Sequence, residues 1–188
     1  HRPGLPWQFK VMESPVVNAF AAPGGYIYVT RGLLAAINNE AELAGILGHE
    51  IGHVTARHSA QRYSNMMLAN IGLSLGQEFM GGYGDMLGTV LETGAGLLFL
   101  KFSRDDEREA DALGVEYASR SGYDAGRMAD FFITLRTQPS GNGKQSARLP
   151  EFFSTHPSPA NRESNVRAMA ASWQSKLTGQ NFLVNRQT

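Results

Sequence analysis

The run His49-Glu50-Ile51-Gly52-His53 is the densest grouping of chemically capable side chains in the sequence. Histidines four residues apart stand one turn apart on the same face of an α-helix, so both imidazoles can bind one metal ion. Glu50 projects beside them, where it could take a proton from a metal-held water. The pattern points to metal-assisted hydrolysis. The competing reading is a pair of surface or core histidines, because a five-residue pattern also arises by chance. A zinc site of this kind needs a third protein ligand. The chain has no cysteine, so that ligand must be His, Asp or Glu.

Two segments could supply it. A third histidine six residues beyond His53, with glycine three residues beyond it, would mark the extended form of the motif. Ser59 and Ala56 stand there instead. His58 is one residue off register and, on a continuous helix, faces nearly opposite the His49/His53 pair, so it reads as structural or solvent-facing. The second segment is Ser103-Arg104-Asp105-Asp106-Glu107-Arg108-Glu109-Ala110-Asp111. On a helix, Glu107, Asp111, Gly114 and Ala118 share one face, and the last two are small enough to let a partner helix approach closely. Glu107 could then be the third ligand, with Asp111 accepting the free ring N–H of a zinc-bound histidine. Glu109 points to the other side. The alternative is a charged surface with ion pairs among Arg104, Glu107, Arg108 and Asp111, and charge spacing alone favours it.

The elements that must position these groups are legible in outline. Residues 7–12 and 16–20 read as extended, Pro23-Gly24-Gly25 as a turn and Tyr26-Ile27-Tyr28-Val29-Thr30 as a strand. Everything after Arg31 reads as mainly helical. Asn39 followed by Glu42 resembles a capping box opening a helix over 40–61, with Leu43, Leu47, Ile51 and Val54 as its apolar face. A second helical region covers 63–100, broken near 81–84. Ser103 caps a helix over 104–120 that stops near Gly122, and Asp124 caps one over 125–136. Residues 139–148 read as a polar loop, and Ser158-Pro159 opens a helix to about 177. The polar tail beyond 178 is expected to fray. The expected architecture is α+β and mainly helical, one domain over 1–188. It comprises strands over 7–30, a helical body over 31–177 and a tail over 178–188, with no internal repeat or linker.

Composition sets further bounds. Lys+Arg and Asp+Glu both number 17, which argues against nucleic acid or an anionic membrane as a bulk electrostatic partner. The most apolar run, 94–100, falls far short of a membrane span, and the Met- and Gly-rich stretch 66–102 reads as amphipathic packing in preference to a membrane or substrate contact. The chain begins at His1, not Met. It therefore reads as a processed chain or a fragment that a signal peptide or anchor could have preceded.

Four segments in order carry a specific resemblance: Asn18-Ala19-Phe20 through Pro23-Gly24-Gly25 to Arg31-Gly32-Leu33; Glu40-Ala41-Glu42-Leu43 leading into His49–His53; Ser103-Arg104 with Glu107 to Asp111; and Thr155-His156-Pro157-Ser158-Pro159, followed by Arg162. Over roughly residues 7–169 the chain resembles the zinc peptidase family that includes HtpX, BepA and the CAAX prenyl proteases, in particular its BepA-like soluble members. The resemblance implies a zincin-like fold with a small sheet flanking the active-site helix. It implies Zn2+ held by His49, His53 and Glu107, with Asp111 behind them and Glu50 as catalytic acid–base. The membrane helices of HtpX and the CAAX proteases do not carry over.

The implied activity is endopeptidase cleavage of unfolded or misfolded polypeptides in periplasmic or otherwise extracytoplasmic protein quality control. Substrate would lie extended along Asn18, Ala19 and Phe20, though these residues and the neighbouring glycines equally serve a turn. His156 and Arg162 are candidates for a second oxyanion donor. Pro157 places His156 on a loop, from which it could instead take the fourth zinc position and hold the enzyme latent. The alternative functions are a catalytically weak, chaperone-like binding protein using the same cleft and a purely structural zinc domain.

Overall fold

The computed structural model describes residues 1–77, 101–137, 151–158 and 160–185. Three strands open the chain, β1 (Gln8–Met12), β2 (Ala19–Ala22) and β3 (Tyr26–Thr30). They form a sheet in the order β1-β3-β2, with β1 parallel and β2 antiparallel to β3. The β2–β3 hairpin turns through Gly24 and Gly25 at φ +96° and +98°, a conformation closed to most residues with a Cβ. The second strand starts at Ala19, later than its apolar run suggests. At Asn18 the backbone N–H bonds the Thr30 hydroxyl and the carbonyl accepts from both Thr30 N–H and Thr30 Oγ1.

Seven helices follow among the described residues: α1 (Arg31–Ala36), α2 (Glu40–Thr55), α3 (His58–Gln77), α4 (Arg104–Arg120), α5 (Arg127–Thr137), α6 (Glu151–Thr155) and α7 (Arg162–Lys176). Their starts follow the expected caps with small shifts. Asn39 Oδ1 accepts from Glu42 N–H at 2.9 Å, but the Glu42 carboxylate turns to Asn38 N–H, one residue upstream of a capping box. Ser103 and Asp106 complete a true capping box on α4. Asp124 bonds Gly126 N–H and α5 begins at Arg127, whereas α7 begins at Arg162. The expected helical continuation through 78–100, the loop at 139–148 and the Pro159 start lie outside the described residues.

Two expectations need correction. The active-site helix does not run to 61. It ends at Thr55, Arg57 takes a left-handed φ of +62°, and α3 restarts at His58. The tail does not fray through 185. The first N–H groups of a helix lack intrahelical acceptors, and here Val184 O and Asn185 Oδ1 accept from Ala41 N–H and Glu40 N–H.

The core gathers around α2. Ile46, Val115, Met128, Phe131, Phe132, Leu135, Phe152 and Val166 are buried together. Of the expected apolar face only Val54 is fully buried, while Leu43, Leu47 and Ile51 are half-buried. The tightest face of α2 is instead Gly45, Gly48 and Gly52. A Cβ on Gly48 would lie 2.8 Å from Gly114 O, and one on Gly114 would lie 2.8 Å from His49 N. Gly114 thus does admit a close partner helix, and that partner is α2. Among the described residues no helix is long and apolar enough to cross a membrane.

Gly48→Ala and Gly114→Ala should each lower the free energy of unfolding by about 1–3 kcal/mol, the usual cost of overpacking a tight contact. Gly4→Ala, where no atom lies within 4 Å of the new Cβ, should leave it nearly unchanged. Urea unfolding of the three variants checks this.

Candidate metal centre

Four elements deliver the site. α2 brings His49, Glu50 and His53, and α4 brings Glu107 and Asp111 across the glycine contact. The residue after α6 is His156, and the first residue of α7 is Arg162. All seven side chains are buried. His156 lies just past the end of α6, outside the helix as expected, with its N–H bonded to Phe152 O at 2.9 Å and its ring stacked on Phe152.

Four side chains converge. His49 Nε2 lies 3.0 Å from His53 Nε2, 3.6 Å from Glu107 Oε2 and 3.3 Å from His156 Nδ1. Glu107 Oε1 lies 3.4 Å from His53 Nε2 and 3.1 Å from His156 Nδ1. Ligands about 2.0–2.2 Å from a tetrahedral zinc ion are about 3.3 Å from one another. The group formed by His49, His53, Glu107 and His156, whose ligand atoms all lie within 4.8 Å of one another, therefore fits such an ion.

Charge supports the same fit. Glu107 and Asp111 both pair with one buried guanidinium, Arg162, an excess of one carboxylate that a bound cation would offset. Both Glu50 oxygens, Glu107 Oε2 and His156 Nε2 have no hydrogen-bond partner among the described residues. Burial raises the Glu50 carboxyl above its ordinary pKa, against the opposing pull of His156 and His49. Burial also holds His53 well below the usual imidazole value, in the neutral form a ligand requires. At Glu107 burial pushes upward, but the His156 and His49 charges and the hydrogen bonds from His156 and His53 outweigh it, and the carboxyl sits well below its usual range.

A second layer surrounds these atoms. His49 Nδ1 lies 2.9 Å from Asp111 Oδ1. Arg162 donates through Nε and Nη2 to both Asp111 oxygens at 2.9 and 2.7 Å, and Nη2 is 3.1 Å from Glu107 Oε2. The structure thus places Arg162 behind the carboxylates, 1% exposed. Asn18, Ala19 and Phe20 lie at the start of β2. There Ala19 is buried and Phe20 stacks on Tyr28.

Two contacts were not legible in the sequence. His58 is buried, not solvent-facing, with Nδ1 2.9 Å from His53 Nδ1. The helix break at Arg57 removes the periodicity on which the opposite-face expectation stood. Phe102 stacks on the His53 ring at 3.8 Å between centroids. Its position next to the Ser103 cap was the only available signal.

A helical body, a small flanking sheet and a buried group made of His49 and His53 from a His-Glu-x-x-His helix, Glu107 from α4 and His156 from the end of α6 form a zincin-like site. The family model for peptidase family M48 matches residues 1–170, and the chain belongs to that family. It is 37% identical to mitochondrial metalloendopeptidase OMA1 of Arabidopsis thaliana over 159 residues, covering 84% of this chain and 30% of that protein. It is 31% identical to the beta-barrel assembly-enhancing protease of Escherichia coli over 175 residues, covering 88% of this chain and 34% of that protein. A mitochondrial metalloendopeptidase OMA1 of Bos taurus is 30% identical over 85% of this chain and 32% of its own. The chain spans about a third of the length of these curated relatives.

Arg162→Met keeps the volume but strands two buried carboxylates. It should destabilise the protein by about 3–5 kcal/mol, the cost of breaking a buried pair from one side. Chemical denaturation of the metal-free protein checks this.

Proposed function

We propose that the protein is a zinc-dependent endopeptidase acting on polypeptides, with residues 1–188 forming one peptidase domain. The observation that carries this reading is the convergence of His49, His53 and Glu107 at tetrahedral spacing, with Glu50 buried beside them. These three residues would hold the zinc ion, which when bound acidifies water and polarises a peptide carbonyl. Glu50 receives the proton of the attacking water and hands it to the leaving amine. Burial raises its carboxyl above the ordinary glutamate value, so it holds a proton more readily than an exposed glutamate would. Asp111 accepts from His49 Nδ1–H and so keeps the Nε2 lone pair turned inward. Arg162 holds Asp111 with two hydrogen bonds, a geometry that supports a positioning role over direct contact with substrate. An extended substrate would add to the sheet beside β2, along Asn18, Ala19 and Phe20, where backbone pairing gives affinity with little sequence preference.

His156 supports a second reading of the same site. Its Nδ1 completes the four-atom group, so it would act as a latch on the metal that must swing out before substrate is cut. In the open position its ring, or another donor not yet assigned, would support the oxyanion. The biological setting we infer is extracytoplasmic quality control of unfolded or misfolded envelope proteins. The similarity to proteins named beta-barrel assembly-enhancing protease supports it, and the mitochondrial relatives mark a competing compartment.

Glu50→Gln should retain zinc but lose about 10²–10⁴-fold in the rate of casein cleavage, the typical contribution of general acid–base catalysis. Equal cleavage by the native and variant chains would leave the chaperone-like binding reading in its place. A chelator should abolish the native activity and added zinc should restore it. His156→Ala should cleave faster than the native chain if the latch holds, and unchanged or slower cleavage would remove the latch.

A further inference from the structure

We propose that His58 and Glu109 form an outer hydrogen-bond chain that sets the tautomer and ring orientation of His53, making His58 a positioning residue of the metal site. The proposal rests on the reading of His53 as a ligand through Nε2.

The two α2 histidines have different outer partners. His49 Nδ1 meets a carboxylate, Asp111. His53 Nδ1 meets another imidazole, His58 Nδ1, at 2.9 Å. A neutral imidazole carries one N–H. If His53 turns the bare Nε2 inward, its proton sits on Nδ1 and must be donated outward. His58 Nδ1 must then be the bare acceptor, and the His58 proton must sit on Nε2. That atom lies 3.4 Å from Glu109 Oε2 and 4.0 Å from Asp106 Oδ1. Each proton in the chain from Glu109 through His58 to His53 has one consistent place. The reverse assignment would put the His53 proton on Nε2, where it would face His49 Nε2 at 3.0 Å.

The backbone is arranged for this contact. On an uninterrupted helix His58 would stand about 140° around from His53, at about 100° per residue. The left-handed Arg57, φ +62°, ends α2 and folds the start of α3 back, so that His58 comes to lie 2% exposed against its neighbour. Phe102 stacks on His53 and lies 6.3 Å from the His58 ring, screening the pair from water. Glu109, the outer end of the chain, is mostly exposed and contributes less than the buried link.

The experiment measures zinc affinity by competition with a chromophoric chelator for the native chain, His58→Phe, His58→Asn and Glu109→Ala. It adds 15N spectra of the histidine rings in the zinc-loaded native chain. His58→Phe should weaken zinc binding about 10–100-fold, the usual effect of removing an outer partner of a ligand. His58→Asn, whose Oδ1 replaces the Nδ1 acceptor, should recover most of that loss, and Glu109→Ala should show a smaller one. The spectra should find the proton of His53 on Nδ1 and that of His58 on Nε2. Native affinity in His58→Phe, no recovery in His58→Asn, or a proton on His58 Nδ1 would overturn the proposal. The spectra are read on the native chain, so they decide the matter even where His58→Phe fails to fold. A native chain that binds no zinc would instead bring down the metallopeptidase reading itself, a result distinct from these.

Discussion

Gly48 on α2 and Gly114 on α4 touch backbone to backbone, and the site depends on that contact. Glutamate has a short reach. Glu107 can meet His49 Nε2 and His53 Nε2 only if the two helix axes come closer than side chains with a Cβ would permit. Glu107, Asp111 and Gly114 share a helix face, so the residue that allows the approach and the two that use it are fixed relative to one another. Gly45 and Gly52 extend the same smooth strip along α2, against Met128 and Ala110. The strip has no apolar side chains to advertise it, yet it decides the geometry of the chemistry.

Close packing also concentrates charge around the site. Glu107 and Asp111 share one buried guanidinium, Arg162, while Glu50 is buried 3.5 Å from His156, and burial of unbalanced charge costs several kcal/mol per ion. Arg162 compensates Asp111 directly and Glu107 in part, and Glu107 also reaches the point where His49, His53 and His156 converge. The same burial raises Glu50 and keeps His53 neutral. Excluding water therefore favours the neutral form of both His53 and Glu50.

The outer parts of the molecule hold these groups from several directions. The tail satisfies the start of α2 through Val184 and Asn185, although it lies far away in sequence. α7 contributes Arg162 at its first turn, and α6 ends where His156 is needed. Each contact uses an end of a helix, where backbone groups or side chains are free to turn inward.

That His49 and His53 share one helix face, and Glu107 and Asp111 another, was legible in the sequence because helical spacing is local. Residues four apart share a face whatever else the chain does, and the caps at Asn39 and Ser103 report their helices from within a few residues. The strands and the hairpin turn were legible for the same reason. What the sequence left open was set by contacts between distant segments. Whether Glu107 lies on an ion-paired surface or faces His49 and His53 turned on the Gly48–Gly114 approach. The burial of His58 turned on the left-handed Arg57, and the inward position of Arg162 on the seating of α7. Periodicity says which side chains share a face, but only the packed structure says what that face meets, because burial and charge balance are properties of the assembled contacts.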